Sequence, residues 1–267
     1  MTAATTLPPP AHHPGVLAPA RQVLTVARRN LLHLGSDPQQ LVGITVQPLV
    51  FLLLFVYVFG GAIAGSSRQY LEFALPGFLV QGAAFTGMQT AVGLNTDLRR
   101  GIVDRLRSLP ITRLAPVGGR IVADAVRVVA GALIVAGFGV LLGFRSHTPA
   151  AHTLAALGLV IGFGVAVCWP MALVGIWLRS PEAVQTTAFL LVLPLTFASS
   201  VFAPVASMPG WLQAFVKANP VTAAVDATRG LLLGGPVGDP TRKAVAWIAA
   251  LTVVFALLAT DRYRRRA

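Results

Sequence analysis

Lysine is nearly absent from this sequence. Lys217 and Lys243 are its only copies, neither preceded by glycine nor followed by serine or threonine. A phosphate-cradling loop ending in Gly-Lys-Ser/Thr therefore cannot be built, and energy for any driven process has to come from outside the chain. Cysteine is scarcer still: Cys168 stands alone, in an apolar run beside Trp169 where it reads as packing. This excludes an internal disulfide and any metal site made from several thiolates. The 9 acidic residues are scattered, with no His-Glu-x-x-His and no Gly-x-Ser-x-Gly pattern, which argues against an intramembrane hydrolase. His12 and His13 are adjacent in a proline-rich stretch without further ligands, so they make no metal site. Charge as a whole is short, at 11% of residues against roughly 25% in soluble domains.

What is there is apolar. Hydrophobic residues make up 55% of the chain, mean hydropathy is +0.73, and several runs exceed the ~18 apolar residues needed to cross a bilayer. The sequence reads as an all-α, polytopic membrane protein with six transmembrane helices. Its net charge of +12 follows from positive loops on one side of a membrane. No hydrophilic domain exists in which a basic nucleic-acid face could form, so nucleic acid is not expected as a partner.

Residues 1–20, with Pro8, Pro9, Pro10, Pro14 and Pro19, have too little periodic apolar content to fold and lack the apolar core of a signal peptide. They are expected to be a disordered cytosolic tail before a membrane domain covering 21–267. Between Arg21 and Leu34, apolar Val23, Ala27, Leu31 and Leu34 recur beside Arg21, Arg28 and Arg29, the pattern of a helix lying in the membrane interface. The expected spans run from about Leu41 to Phe59, with a kink at Gln47-Pro48, and from about Phe73 to Leu94 after a polar loop over Gly60–Gln69. They continue from about Ile121 to Gly143, Thr153 to Leu178, Ala183 to Ala203 and Ala244 to Thr260.

The second span is unusually polar: Gln81, Thr86, Gln89 and Thr90 interrupt it. Polar groups in hydrocarbon must face protein or water, so Gln81, Phe85 and Gln89 line either a pathway or a helix interface. Gln81 and Gln89 lie eight residues apart, within roughly 80° of one helix face. In the third span, Asp124 and Arg127 stand i,i+3, which suggests an ion pair with a snorkelling arginine. In the fourth, Gly158 and Gly162 have the spacing of a close helix contact, and Trp169-Pro170 suggests a kink. Between the fifth and sixth spans, Met208, Pro209, Gly210 and Trp211 open one short helix, Asn219-Pro220 breaks it, and Val221–Leu233 forms a second closed by Gly234-Gly235. This is either a hairpin dipping into the outer leaflet or a pair of surface helices.

The most charged stretch, Asn95–Arg120, separates the second and third spans. Ile102, Val103, Leu106 and Leu109 fall at helical spacing, Asp104, Arg105 and Arg107 point elsewhere, and Pro110 ends the pattern. The pattern fits a short amphipathic helix, or a solvated basic loop that only fixes topology. The run Gly101, Ile102, Val103, Asp104, Arg105, Leu106, Arg107, Ser108, Leu109, Pro110, Ile111 resembles the first cytoplasmic loop of type-2 ABC exporter permeases of the daunorubicin- and doxorubicin-resistance kind. Tyr70-Leu71-Glu72-Phe73-Ala74-Leu75-Pro76-Gly77 is similar to that family's entry to the second span. Phe202-Ala203-Pro204-Val205, Met208-Pro209-Gly210-Trp211-Leu212-Gln213 and Asn219-Pro220-Val221-Thr222 resemble its outer hairpin.

The resemblance covers most of the chain from about Arg21 onward. It implies a permease subunit of an antibiotic, drug or lipid exporter that is no enzyme itself and carries no cofactor. ATP and Mg would be bound by a separate cytosolic ABC ATPase docked on Gly101–Pro110. It further implies a second permease copy or paralogue, a re-entrant hairpin between the fifth and sixth spans, and an amphipathic substrate. With both termini cytoplasmic in the cell membrane, roughly fifteen of the 21 Lys and Arg residues lie inside and about six outside, as positive loops require. An ion-coupled secondary transporter or channel remains the competing reading.

Overall fold

The computed structural model describes residues 46, 48–100 and 115–266. The 1–20 tail, the Arg21–Leu34 helix, the Gln47-Pro48 kink and the Gly101–Pro110 loop helix lie outside the described residues. The described residues form, in order, α1 (Pro48–Ala64), α2 (Ser67–Arg99), α3 (Ala115–Leu141), α4 (Ala150–Trp177), α5 (Pro181–Phe197), a single 3-10 turn (Val205–Ser207), α6 (Gly210–Ala218), α7 (Pro220–Leu233) and α8 (Gly238–Arg266). No strand occurs among the described residues.

The α1–α2 connection is shorter than the polar loop expected over Gly60–Gln69. Helical structure continues through Gly60–Ala64, after a π-turn at Phe55–Phe59. Gly65 then takes φ 76°, a left-handed conformation that costs glycine least, and stops the helix. Ser66 immediately caps α2 by accepting from the Gln69 amide at 3.2 Å. The two helix axes meet at 117°, so the chain doubles back on itself. Ser180 restarts the chain in the same way after α4, accepting from the Ala183 amide at 3.1 Å with Pro181 in the first turn. α4 itself runs unbroken through Pro170.

α2 is the centre. It packs against α4, α3, α5, α7 and α1, while α8 lies against α4 and α7. Tyr70, Leu75, Phe78 and Val80 of α2 are at most 1% exposed. At one end, the Tyr70 hydroxyl donates to the Phe202 carbonyl at 3.0 Å, and the Phe202 ring sits 4.6 Å from Phe55 and 4.7 Å from Phe197. These contacts pin the segment after α5 between α1 and α2. At the other end, a Cβ on Gly175 of α4 would lie 2.4 Å from the Ala91 carbonyl oxygen, so α2 and α4 touch backbone to backbone. Gly164 likewise faces Val128 and Ala83. The expected contact at Gly158 and Gly162 does not form: Gly158 has nothing within 4 Å and Gly162 meets only an Ile248 methyl at 3.7 Å. Spacing alone marks a pair of small residues, but the side of α4 turned toward α2 carries Gly164 and Gly175 instead.

Among the described residues, three helices are long and apolar enough to cross a membrane: Gly118–Leu141, Ala150–Trp177 and Gly238–Tyr263. The bent α1–α2 pair passes the same test when taken together. α5 has 17 residues, a rise of about 25 Å against a hydrocarbon core of ~30 Å. It ends at Phe197 rather than near Ala203 because polar groups take over its carbonyls. The Asn219 amide donates to Leu195 O at 2.7 Å and Ala198 O at 2.8 Å, and the Ser199 hydroxyl donates to Thr196 O at 2.5 Å. Large apolar side chains lie exposed along α8, among them Val253, Val254, Leu257 and Leu258. A face of this kind is stable against acyl chains and unstable in water. The chain is a multi-pass membrane protein.

Candidate functional site

Two polar features meet on α2. The first is a stripe running down the helix at Gly82, Phe85, Thr86 and Gln89, positions one helical face apart. Gly82 is open, with nothing within 4 Å of a Cβ placed there. Thr86 satisfies its own hydroxyl on Gly82 O at 3.1 Å, Phe85 is half-buried against the core, and the Gln89 side chain is exposed. Gln81 departs from the expected pairing with Gln89. It is 6% exposed and points into the protein, because the roughly 80° between the two positions is enough to carry it over the edge of the stripe.

The second feature is a buried ionic cluster. Asp124 on α3 is fully buried, and three donors converge on its carboxylate. Thr90 Oγ1 of α2 donates to Oδ2 at 2.6 Å, Arg120 Nε donates to the same oxygen at 3.1 Å, and Arg127 Nη1 donates to Oδ1. Arg127 therefore does not snorkel: at 4% exposure it is held inside by the carboxylate, since a charge buried next to its counter-ion has no reason to reach for the interface. Arg120 does more than pair. Its Nη2 donates to the Gln89 backbone carbonyl at 3.0 Å, and Nη1 lies 4.0 Å from Asp97. The guanidinium crosses α2 at Gly93, where a Cβ would fall 1.9 Å from Arg120 Nη2. Only a glycine leaves room for it.

Arg120 thus joins the start of α3, six residues beyond the undescribed 101–114 segment, to the lower end of the polar stripe. Asn95 secures the other flank by donating to Gly175 O at 2.9 Å and Leu178 O at 2.8 Å, which ties the end of α2 to the end of α4. The Asp124–Arg127 pair was visible in sequence spacing. The sequence marks Thr90 as one of the polar groups of the second span that face a pathway or a helix interface, but not its partner Asp124, and Gly93 and Asp97 were missed because their partners lie across the helix interface. The i,i+4 spacing of Arg120 and Asp124 was the one local signal available.

The opposite end carries the hairpin residues. Asn219 accepts from the Val221 amide at 2.8 Å, capping α7, while its own amide closes α5. Arg229 of α7 lies 4.0 Å over the Phe73 ring, donates to Phe73 O at 3.1 Å and Ser200 O at 2.9 Å, and pairs with Asp226 at 3.2 Å. Ser200 returns a bond to Asp226 at 2.7 Å. The Thr148 and Ser146 hydroxyls donate to the carbonyls of Leu231 and Leu232, so both ends of α7 are fastened. On α6, Trp211 is 77% exposed and Phe215 50% exposed, whereas Val216 is fully buried. Pro209 and Gly210 start that helix and Met208 accepts from the Gln213 amide at 2.9 Å. Arg229 meets α2 at Phe73, nine residues before the stripe begins at Gly82.

Comparison with known proteins adds an independent line. Residues 21–233 match the family described as ABC-2 type transporter. The chain is 37% identical over 243 residues, 91% of its length and 86% of the relative's, to the daunorubicin resistance ABC transporter permease protein DrrB1 of Streptomyces coeruleorubidus. It is 29% identical over 245 residues, covering 91% of this chain and 88% of the relative, to the probable doxorubicin resistance ABC transporter permease protein DrrC of Mycobacterium tuberculosis. Similarity extends to the putative transport permease ycf38 of Cyanophora paradoxa, at 26% identity over 79% of this chain and 74% of the relative.

Proposed function

The chain belongs to the ABC-2 type transporter family, and we propose that it forms the membrane path of an ATP-driven exporter for an amphipathic drug, antibiotic or lipid-like molecule. As a permease subunit it leaves ATP hydrolysis to a partner. That partner, a cytosolic ABC ATPase binding ATP and Mg, docks on Gly101–Pro110, with Asp104 and Arg105 off the apolar face of that segment. The permease domain covers 21–267, crosses the cell membrane six times and keeps both termini in the cytoplasm. α1 and α2 are separate antiparallel spans, a reading supported by the 117° between them. α5 is completed by the segment pinned at Phe202. α6 and α7 form the outer re-entrant hairpin, which is too short to cross. The exposed Trp211 and Phe215 suit a helix resting at the headgroup level.

The observation that carries this reading is the stripe at Gly82, Phe85, Thr86 and Gln89. It is polar, it lies on the central helix, and Gly82 and Gln89 stay open in the middle of a helix that is packed on most of its circumference. A second permease copy or paralogue placed against it would enclose a path walled by amides, hydroxyls and an aromatic ring. Gln81 borders that path from within. Closure of the ATPase would pull on the 101–114 segment, and Arg120, bonded to Gln89 O and Asp124, hands that displacement to α2. The ion-coupled alternative needs a carboxylate available to a coupling ion, but both oxygens of Asp124 are committed to three donors.

The test is reconstitution with the ATPase in sealed vesicles. Gln89→Leu should alter substrate preference while assembly and basal ATP hydrolysis persist. Asp104→Ala with Arg105→Ala should weaken copurification of the ATPase. Transport that follows an ion gradient and ignores ATP would contradict the proposal.

A further inference from the structure

Two corners of the fold come together away from the stripe and the hairpin contacts. One is the α1–α2 corner at Gly65. The other follows α3, where Phe144 N bonds Gly139 O at 2.9 Å and Gly143 N bonds Val140 O at 3.1 Å. With φ 103° at Gly143, this is a Schellman ending, which swings the chain sharply off the helix axis. Between the corners lies a cavity of about 400 Å³ to which Arg68 and Arg145 both contribute. Val56, Leu71 and Leu142 supply apolar lining, together with Tyr57.

We propose that this cavity binds the phosphate of an anionic phospholipid. Two guanidiniums line it and no carboxylate does. Arg145 uses Nη1 on the carbonyls of Phe144 and Val140, at 3.3 and 3.5 Å, and makes no ion pair among the described residues. Arg68 makes none either, although half-buried Glu72 stands one turn further along α2. Two cations facing one space repel each other, and an anion between them relieves that repulsion while accepting planar, forked hydrogen bonds from both.

The surroundings select a lipid over a free anion. Tyr57 and Val58 on α1 are 62% and 65% exposed, and Val140 and Leu141 on α3 are 50% and 79% exposed. These apolar faces flank the cavity mouth and offer a bed for acyl chains beside the charged site. The volume is within the ~300–1,000 Å³ usual for a small-ligand pocket. The cavity sits at the end of α2 where charge meets apolar surface, as a headgroup does. Binding requires only that the chain be membrane-embedded. The outer leaflet follows from the proposed topology and stands or falls with it.

The experiment is native mass spectrometry of the full-length chain released from micelles holding equal amounts of phosphatidylglycerol and phosphatidylcholine. The native chain should retain phosphatidylglycerol preferentially. Arg68→Gln and Arg145→Gln should each weaken that retention roughly ten-fold, the effect of one charge-assisted contact, and leave phosphatidylcholine unchanged. The charge-retaining pair Arg68→Lys with Arg145→Lys should keep the preference. The proposal is overturned if Arg68→Gln with Arg145→Gln, monodisperse and helical by circular dichroism, retains phosphatidylglycerol like the native chain. Should that double variant aggregate, the single variants against the lysine pair decide the matter by the same criterion. Equal retention of both lipids also overturns it, as does full displacement of phosphatidylglycerol by millimolar inorganic phosphate, which would make the site one for free anions.

Discussion

α2 and α8 are both long helices, and they are built on opposite plans. α8 is apolar outward: little of its apolar length is buried inside the protein, and its exposed positions include Val245, Val253, Val254 and Leu257. α2 is packed on most of its circumference and carries Gln81, Thr90 and Asn95 among its buried residues. In a soluble protein the apolar helix would be the inner one. Here the surrounding solvent is lipid, so apolar side chains gain nothing by facing inward and polar ones lose heavily by facing out. The peripheral helix therefore registers as a span by itself, whereas the helix at the centre needs α1 beside it to register as one.

That contrast can be broken most severely at Asp124. Asp124→Ala removes the carboxylate between Arg120 and Arg127 and leaves two guanidiniums in the interior without it. The expected loss is about 3–5 kcal/mol, read as a fall in the detergent thermal unfolding midpoint or as absent folded protein. Leucines give the same contrast in a milder form. Leu75→Ala on α2, where the side chain is 1% exposed, should cost about 2 kcal/mol or more through the cavity it leaves. Leu257→Ala on α8, 68% exposed, should stay within about 0.5 kcal/mol. Equal effects at the two leucines would mean that α8 is buried against another subunit. Gly175→Ala forces α2 and α4 apart at the Ala91 carbonyl, and overpacking of this kind costs about 1–3 kcal/mol. Gly158→Ala, on the same helix with open space around it, should be neutral or slightly stabilising. Asn219→Ala removes the α7 cap and two bonds to α5, for about 1–2 kcal/mol.

Legibility in the sequence followed the range of the interaction. Apolar runs located α3, α4 and α8 to within a turn or two, and the Asn219-Pro220 break between α6 and α7 was readable because an Asn cap and a first-turn Pro are local chemistry. The Gly65 turn was placed inside a loop that proved far shorter, since nothing in a run of glycine, alanine and serine says where a helix stops. The polarity of α2 was plain, but the division of Gln81 from Gln89 depends on which neighbours crowd α2. Arg120 illustrates the limit best. Its i,i+4 partner Asp124 is written in the sequence, whereas its passage over Gly93 to the Gln89 carbonyl exists only once α2 and α3 are packed. Gly158 and Gly162 mark the converse case, a recognised pattern on the wrong side of its helix.

The central claim is that the exposed stripe on α2 faces water or a second permease, whereas the exposed face of α8 faces lipid. It can be tested with single cysteines at Gln89 and Val254, each in a Cys168→Ala background, reacted in native membranes with a membrane-impermeant maleimide and a short thiol cross-linker. Gln89→Cys should label from the aqueous phase or cross-link between copies, and Val254→Cys should do neither. Labelling at Val254→Cys with an inert Gln89→Cys would contradict the account.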